Sequence, residues 1–157
     1  MRLLVISDSH GRSGTVDRII NSHPEAQHIF FLGDVVRDIE SAVYEYDDRT
    51  FHIVAGNCDG FCSFPDFDIV ELEGHSIYYT HGHSSYVKSG IDTLCRRAKN
   101  CGCEIVLYGH THASSIDYTN GLYVVNPGSC AKSRNGIETY AVIDITKEKI
   151  VPTIMEV

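Results

Sequence analysis

The sequence predicts an α/β fold in which two packed β-sheets are flanked by helices, with residues 1–157 forming a single domain. Strand-like and helix-like segments alternate through the first third of the chain, which is the pattern of α/β folds. From Phe67 onward the pattern changes to β-hairpins and one further helix. A chain of 157 residues is long enough for one domain to bury a substantial core, and no repeat or linker divides it.

The first part of the chain contains three short apolar runs, interpreted as buried strands, and two segments with apolar residues three or four apart, interpreted as helices. In chain order they are strand Arg2–Ser7, helix Ser13–Ser22, strand His28–Leu32, helix Val35–Tyr46 and strand Phe51–Ala55. Ser13 is a candidate N-cap for the first helix, because its hydroxyl could accept a hydrogen bond from the first turn.

Later in the chain, Glu73-Gly74 and Asn120-Gly121 each separate two strand-like runs. They predict tight hairpins, and Asn-Gly favours the primed turn types. The predicted elements of this part are strands Phe67–Leu72 and Ser76–Thr80, helix Val87–Asn100, and strands Glu104–Tyr108, Ile116–Tyr118, Leu122–Val125, Thr139–Ile145 and Ile150–Met155.

The composition argues against several classes of partner. No segment reaches the roughly 18 consecutive apolar residues of a transmembrane helix, so no membrane association is expected. The apolar N-terminal run is too short for a secretion signal, which predicts a cytoplasmic protein with its six cysteines as reduced thiols. The formal net charge of -8 argues against stable nucleic-acid binding, which needs a basic surface, but leaves a small anionic substrate plausible.

Five short blocks of metal-binding residue types each follow a strand-like run. They are Asp8-Ser9-His10, Gly33-Asp34, Gly56-Asn57, His81-Gly82-His83 and Gly109-His110-Thr111-His112. On extended backbone, residues two apart point to the same side, so each Asp-x-His or His-x-His pair could reach one ion. Alone, Asp-x-His is more often a cap or surface pair and Gly-Asp a turn, whereas His-x-His somewhat favours a metal. Together the blocks supply enough ligands for two metal ions. Two divalent ions about 3.5–4 Å apart are a recurrent device for attacking phosphorus, so the blocks predict a dinuclear phosphoesterase.

The order Asp-x-His, Gly-Asn-x-Asp and Gly-His-x-His, with Gly-Asp and His-Gly-His between them, closely resembles the calcineurin-like metallophosphoesterase superfamily. The resemblance spans about residues 8–112, and Asn126-Pro127-Gly128-Ser129 is similar to a turn in the small prokaryotic phosphodiesterases of that superfamily. It implies a two-sheet sandwich flanked by helices, with a dinuclear site at one edge.

The resemblance also implies a role for each matching residue. Asp8, His10 and His112 would hold one ion, Asn57, His81 and His110 would hold the other, and Asp34 would bridge both. A hydroxide shared by the ions would attack phosphorus in line, while the ions and Asn57 neutralise charge on the phosphoryl oxygens. The candidate catalytic residues are therefore Asn57, Asp34 and His10. Manganese is the expected metal, with nickel, zinc or iron compatible with the same ligands.

One position departs from the superfamily pattern. Cys58 in Gly56-Asn57-Cys58-Asp59 stands where the usual block has a His that protonates the leaving group. A thiol is a poor substitute, because its reference pKa is about 8.5 and its hydrogen bond is weak. Since general acid catalysis is typically worth about 10² to 10⁴ in rate, its absence penalises poor leaving groups most. The expected substrates are therefore small phosphodiesters or activated esters rather than alkyl monophosphates.

Four further residues are candidates for supporting roles. Asp59 is expected to orient His10 or another ligand, and His83 to support the ligands, to replace the missing acid or to be structural. Arg12 and Arg37 follow ligand blocks closely and could contact substrate oxygens.

Two other functions stay open at this point. One is a phosphomonoesterase, against which Cys58 counts. The other is a non-catalytic scaffold of the same fold, like the superfamily relative that serves in the retromer coat. Hairpin edges could also pair two copies of the chain into a homodimer.

Overall fold

Ten strands form two five-stranded sheets in the computed structural model, which describes residues 1–157. The strands are β1 (Arg2–Ile6), β2 (His28–Phe31), β3 (Thr50–Ile53), β4 (Phe67–Leu72), β5 (His75–Thr80), β6 (Ile105–Leu107), β7 (Ser115–Thr119), β8 (Leu122–Asn126), β9 (Thr139–Thr146) and β10 (Lys149–Glu156). The helices are α1 (Ser13–Asn21), α2 (Arg37–Glu45) and α3 (Asp92–Asn100), and a single 3₁₀ turn covers His83–Ser85.

Each sheet combines a parallel centre with antiparallel strands. The first sheet has the order β10-β9-β1-β2-β3, in which β1, β2 and β3 are parallel and β9 and β10 run antiparallel to their neighbours. The second has the order β4-β5-β6-β8-β7, in which β5, β6 and β8 are parallel. Because parallel strands end at the same edge, the loops after β1, β2 and β3 emerge together, as do those after β5 and β6.

Alternation along the strands builds the layers of the core. In β1, Leu3 and Val5 pack between the two sheets, whereas Leu4 and Ile6 pack beneath α1 and α2 on the outer face of the first sheet. Helix α3 covers the second sheet, where Leu94 lies in a further buried cluster. The predicted α/β fold of two packed sheets flanked by helices is therefore confirmed.

Two predicted helices begin too early. Helix α2 begins at Arg37 rather than Val35, because Val35 has a φ of 78° in the left-handed region. Helix α3 begins at Asp92 rather than Val87, because Gly90, with a φ of 143°, interrupts the helical backbone. Val87 is buried nevertheless, so it matches the apolar spacing of a helix without helical geometry.

The predicted cap of α1 is also wrong. Arg12 occupies the N-cap position, and no side chain makes a capping hydrogen bond there. The strand limits agree with prediction to within two residues. In both hairpins, Glu73-Gly74 and Asn120-Gly121, the two turn residues have positive φ, as primed type I turns require.

None of the helices has the length and apolar character needed to cross a membrane. The single domain, the homodimer and the cytoplasmic location stay predictions.

Candidate metal centre

The candidate ligands lie on loops at the carboxyl ends of strands from both sheets. The loop after β1 carries Asp8 and His10, the loop after β2 carries Asp34, the loop after β3 carries Asn57, the loop after β5 carries His81, and the loop after β6 carries His110 and His112. The fold thus brings together residues that are as far apart in sequence as Asp8 and His112.

Their side chains form two groups that share one carboxylate. The first group contains Asp8, His10, Asp34 and His112, and the second contains Asp34, His81 and His110. Within each group, one ligand atom from every residue lies within 4.8 Å of all the others. The Oδ1 atom of Asn57 is 3.2 Å from Nε2 of His81, which places it beside the second group. All seven predicted ligand residues therefore meet, with Asp34 between the two groups.

In the second group, the ligand atoms of three residues face one another. The Nδ1 atom of His81 donates to the carbonyl oxygen of Leu32 at 2.7 Å, which leaves Nε2 facing the other ligand atoms. That Nε2 atom lies 3.1 Å from Nδ1 of His110 and 3.5 Å from Oδ1 of Asp34. Lone pairs and a carboxylate at these distances repel unless a proton or a cation lies between them, and a metal ion satisfies them together.

In the first group, the two carboxylate oxygens of Asp8 have different surroundings. Its Oδ2 atom accepts hydrogen bonds from the Ser7 hydroxyl at 2.6 Å and from the backbone N–H of His110 at 3.1 Å. Its Oδ1 atom is buried without a hydrogen bond, 3.1 Å from Nε2 of His112, which is not aligned to donate to it. The Nδ1 atom of His112 donates to the carbonyl oxygen of Lys132 at 2.7 Å. An orphaned carboxylate oxygen beside a fixed imidazole is the donor set that suits a divalent cation.

The protonation states favour cation binding. Burial, with repulsion from His81 and Lys88, lowers the pKa of His110 to about 4, and burial also lowers the pKa of His10. Burial works against ionisation of Asp8, but its interactions with His112 and His81 hold its pKa below the ordinary value. Two imidazoles are thus held neutral and one carboxylate ionised near pH 7, as metal ligands must be, whereas the Asp8 carboxylate raises the pKa of His112, whose proton a bound cation would displace.

Backbone strain is concentrated at the same residues. Positive φ values occur at five of the seven candidate ligands: Asp8 (56°), His10 (45°), Asp34 (61°), His110 (67°) and His112 (56°). Asp and His tolerate this region better than most residues, but the β-branched Val35 at 78° is a genuine outlier. Such conformations cost on the order of 1–3 kcal/mol each and cluster where function requires a fixed geometry.

Asp59 holds the loop that carries Asp34. Its carboxylate accepts hydrogen bonds from the backbone N–H groups of Asp34 (2.9 Å), Val35 (2.8 Å), Val36 (2.7 Å) and Gly56 (2.6 Å). Of the two alternatives predicted for Asp59, orienting His10 or another ligand, these hydrogen bonds favour the second. They also stabilise the strained backbone at Val35.

Three other buried residues hold the remaining ligand loops. The Ser129 hydroxyl donates to the carbonyl oxygen of Asp8 at 2.7 Å, and the Asn126 amide donates to the carbonyl oxygen of Gly109 at 3.1 Å. The Asp38 carboxylate accepts from Ser9 Oγ at 2.6 Å and from the backbone N–H of Gly11 at 2.7 Å. Asn126 and Ser129 belong to the Asn-Pro-Gly-Ser turn noted above, whereas nothing in the sequence distinguished Asp38 from an ordinary acidic residue in the first turn of a helix.

The remaining candidates occupy different positions around the centre. Cys58 is exposed, and its backbone N–H donates to Oδ1 of Asp34 at 2.9 Å. Partial desolvation of its thiol, together with Asp34, raises the pKa of that thiol. The His83 ring lies 5.5 Å from that of His81, and its buried Nδ1 atom has no hydrogen-bond partner. Arg12 is paired with Glu138 at 3.1 Å, so its guanidinium is already engaged. Arg37 lines a cavity together with Cys58.

Gly109 gives a direct test of how tightly the ligands are held. A Cβ atom at this position would overlap the Ser7 hydroxyl and come within 2.8 Å of Oδ2 of Asp8. We expect Gly109→Ala to weaken manganese binding by about 10- to 100-fold, the usual effect of disturbing groups that orient ligands. Calorimetric titration of the metal-free protein measures this. Gly14→Ala is the matched control, since a Cβ at Gly14 meets nothing within 4 Å. Unchanged affinity in Gly109→Ala would contradict the placement of Asp8.

Comparison with known proteins agrees with this geometry. Residues 1–148 match a family model described as the calcineurin-like phosphoesterase superfamily domain. A probable metallophosphoesterase of Bacillus subtilis is 28% identical over 150 residues, covering 94% of this chain and 86% of the relative. A phosphodiesterase of Methanocaldococcus jannaschii is 25% identical over 174 residues, covering 99% of this chain and 100% of the relative. The crystal structure of a predicted phosphoesterase from Streptococcus pneumoniae has a TM-score of 0.81 at 25% identity, covering 99% of this chain and 97% of that one.

Proposed function

This chain belongs to the calcineurin-like phosphoesterase superfamily, and from that premise we propose that it is a dinuclear metal-dependent phosphodiesterase acting on small phosphodiesters. The observation that carries the proposal is the pair of ligand groups that share Asp34. The relative from Methanocaldococcus jannaschii, itself a phosphodiesterase, supports the reaction class.

Asp8, His10 and His112 would hold one ion, and Asn57, His81 and His110 the other, with Asp34 reaching both. When bound, the two ions would supply Lewis acidity towards the phosphoryl oxygens and the attacking water. The mixture of carboxylate, amide and imidazole ligands suits manganese, which we propose as the metal, and nickel, zinc or iron would fit the same set.

Burial divides the site into a floor and a mouth. The side chains of Asp8 and His81 are fully buried and that of Asp34 is 3% exposed, whereas His10 is 13% and His112 24% exposed. Substrate would therefore approach over His10 and His112. A floor fixed by buried hydrogen bonds supports catalysis because its charges need no rearrangement when the transition state forms.

Asn57 is exposed beside the second group and would contribute in two ways. Its Oδ1 atom faces His81, while its Nδ2 group is only weakly engaged by Cys58 Sγ at 3.4 Å. The amide N–H groups would be available to donate to a phosphoryl oxygen as charge develops there. Asn57 would thus hold an ion through one end of its amide and the substrate through the other.

The position after Asn57, where the usual superfamily block has a His, offers only the Cys58 thiol as an acid for the leaving group. The Cys58 thiol, whose pKa is raised, stays protonated near pH 7 but is a weak hydrogen-bond donor. Leaving groups that depart without a proton, such as activated esters, would suffer least from this. This supports diesters and activated esters over alkyl monophosphates.

The direct test is hydrolysis of bis-p-nitrophenyl phosphate and of p-nitrophenyl phosphate by metal-stripped protein, before and after addition of manganese. We expect turnover only with metal, and faster turnover of the diester than of the monoester. Faster monoester turnover would favour the phosphomonoesterase alternative. No turnover with manganese, nickel, zinc or iron, although two ions are bound per chain, would favour the non-catalytic scaffold.

A further inference from the structure

A small polar cavity opens beside the candidate metal centre. It has a volume of about 190 Å³ and is lined by Lys88, His110, Thr111, His112 and Arg134, none of which is apolar. Two of these residues are candidate metal ligands, so the cavity adjoins the place where phosphorus would lie. Lys88 and Arg134 are the two basic side chains of its wall.

Neither cation is neutralised by the protein. Lys88 and Arg134 are both exposed, and no carboxylate forms an ion pair with either of them. Arg12, by contrast, is paired with Glu138. In a chain with a formal net charge of -8, two unpaired cations on one side of the centre make a locally positive wall.

Both cations are carried by segments that are fixed to the centre. The backbone N–H of Arg134 donates to the carbonyl oxygen of His112 at 3.0 Å, and Nδ1 of His112 donates to the carbonyl oxygen of Lys132 at 2.7 Å. Lys88 follows Val87, whose buried side chain packs closely on Gly82. A Cβ atom added at Gly82 would lie only 2.9 Å from a methyl group of Val87. The two charges are thus positioned by the same loops that position the ligands.

The cavity on the side of the first sheet has a different character. It has a volume of about 300 Å³, and Val35, Val36 and Phe61 lie in its wall beside Cys58. Its charged wall residues are Arg37, Glu40 and Asp59, so the single cation is accompanied by two carboxylates. The two ester groups of a diester at the centre would therefore meet unlike surroundings, one cationic and one mostly apolar.

We propose that the cavity between Lys88 and Arg134 binds a second anionic group of the substrate. The preferred substrates would then be phosphodiesters in which one ester group carries a further phosphate or carboxylate, an inference that rests on the proposed phosphodiesterase function. Arg presents a planar fork that matches either anion, and Lys adds a point charge. Two cations are far fewer than the phosphate contacts of a nucleic-acid site, so the substrate is a small molecule.

The test compares three diesters that share a p-nitrophenyl leaving group and differ in the other ester group: phenyl, 4-carboxyphenyl or 4-phosphophenyl. With manganese-loaded protein, kcat/KM for at least one anionic diester should exceed that for the phenyl diester by roughly five- to tenfold, the scale of charge-assisted contacts to exposed cations. The ratio should fall to near one in the double variant Lys88→Ala/Arg134→Ala. Whether the carboxylate or the phosphate gives the higher ratio identifies the anion.

Lys147→Ala/Lys149→Ala is the matched control. It removes the same charge from the β9–β10 turn and the first residue of β10. These residues lie towards the Arg2 end of β1, opposite to the end that leads to Asp8, so the variant should keep the ratio of the unchanged protein. A second readout needs no turnover. Calorimetry should show that 4-carboxyphenyl phosphate or 4-phosphophenyl phosphate binds the manganese-loaded protein more tightly than phenyl phosphate, and that the difference is lost in the Lys88/Arg134 variant alone.

The outcomes separate this inference from the proposed function. Turnover of the phenyl diester with no preference for either anionic diester would overturn the anion site and leave the phosphodiesterase function standing. A preference that persists in the Lys88/Arg134 variant would overturn it as well, because the anion would then bind elsewhere. No turnover of any diester would contradict the phosphodiesterase function itself.

Discussion

Asp34→Asn is expected to lower phosphodiester turnover by at least about 10³-fold, because it removes the charge of the only carboxylate shared by both ligand groups. The neutral amide keeps the shape of the side chain, and its Oδ1 atom can still accept the hydrogen bond that the Cys58 N–H donates at 2.9 Å. Metal content, measured by mass spectrometry after equilibration with manganese, should fall from two ions per chain to one or none. Full occupancy with full activity would contradict the bridging role.

The same variant has an opposite expected effect on the metal-free protein. Oxygens of Asp8 and Asp34 lie within 4.8 Å of each other, and both side chains are buried. Two like charges at that distance repel, so Asn at position 34 should leave the thermal midpoint of the metal-free protein unchanged or higher. The rise in midpoint on adding manganese should be lost, since a ligand stabilises a protein only in proportion to its binding.

Asp144→Asn is the control for both measurements. Asp144 pairs with Arg2 at 2.8 Å at the far end of β1 and is half exposed. Its replacement should cost no more than about 1 kcal/mol, as is usual for exposed ion pairs, and should leave turnover and metal content intact. An equal loss of turnover in Asp144→Asn would mean that the Asp34 result reflects net charge rather than ligation.

The strands were predictable because short apolar runs mark buried segments. Leu3, Leu4, Val5 and Ile6 are all apolar, which predicts a buried strand, whereas only the structure shows that Leu3 and Val5 face the inter-sheet core and Leu4 and Ile6 the helices. Helix starts were less predictable. Val35 and Val87 have helical apolar spacing, yet the backbone at Val35 is left-handed and Val87 precedes the break at Gly90. Spacing reports burial and does not distinguish a helix from a loop packed on the same core.

At the candidate site, the candidate ligands and the supporting role of Asp59 were predictable, whereas other supports were not. Metal ligands come from few residue types, here Asp, His and Asn, which makes their blocks visible in the sequence. A support needs only one well-placed acceptor or donor, as Asp38 shows by holding Ser9 and the backbone of Gly11. Lys88 and Arg134 were not predicted either, because they lie outside the ligand blocks and only the folded loops bring them beside His110.

Cys58→His is expected to raise turnover of alkyl phosphomonoesters such as glycerol 2-phosphate by at least about tenfold, and by up to about 10² to 10⁴ if the new imidazole reaches the leaving oxygen. The position can accept it, because the Cys58 side chain is exposed and adjoins a cavity of about 300 Å³. A His with an ordinary pKa of about 6.5 is a proton donor near neutral pH, whereas the thiol, with its raised pKa, is a weak one.

Cys58→Gln is the matched control, since an amide of similar size lacks a proton that can be transferred near pH 7. The His variant should gain on alkyl monoesters far more than on p-nitrophenyl esters, whose leaving group needs little acid help. Its gain should be largest at low pH and should disappear as the pH rises through the pKa of the new His, because only the imidazolium can donate a proton. A gain of the same size in Cys58→Gln, or none in Cys58→His with both metal ions retained, would show that the missing acid does not set the preference for diesters.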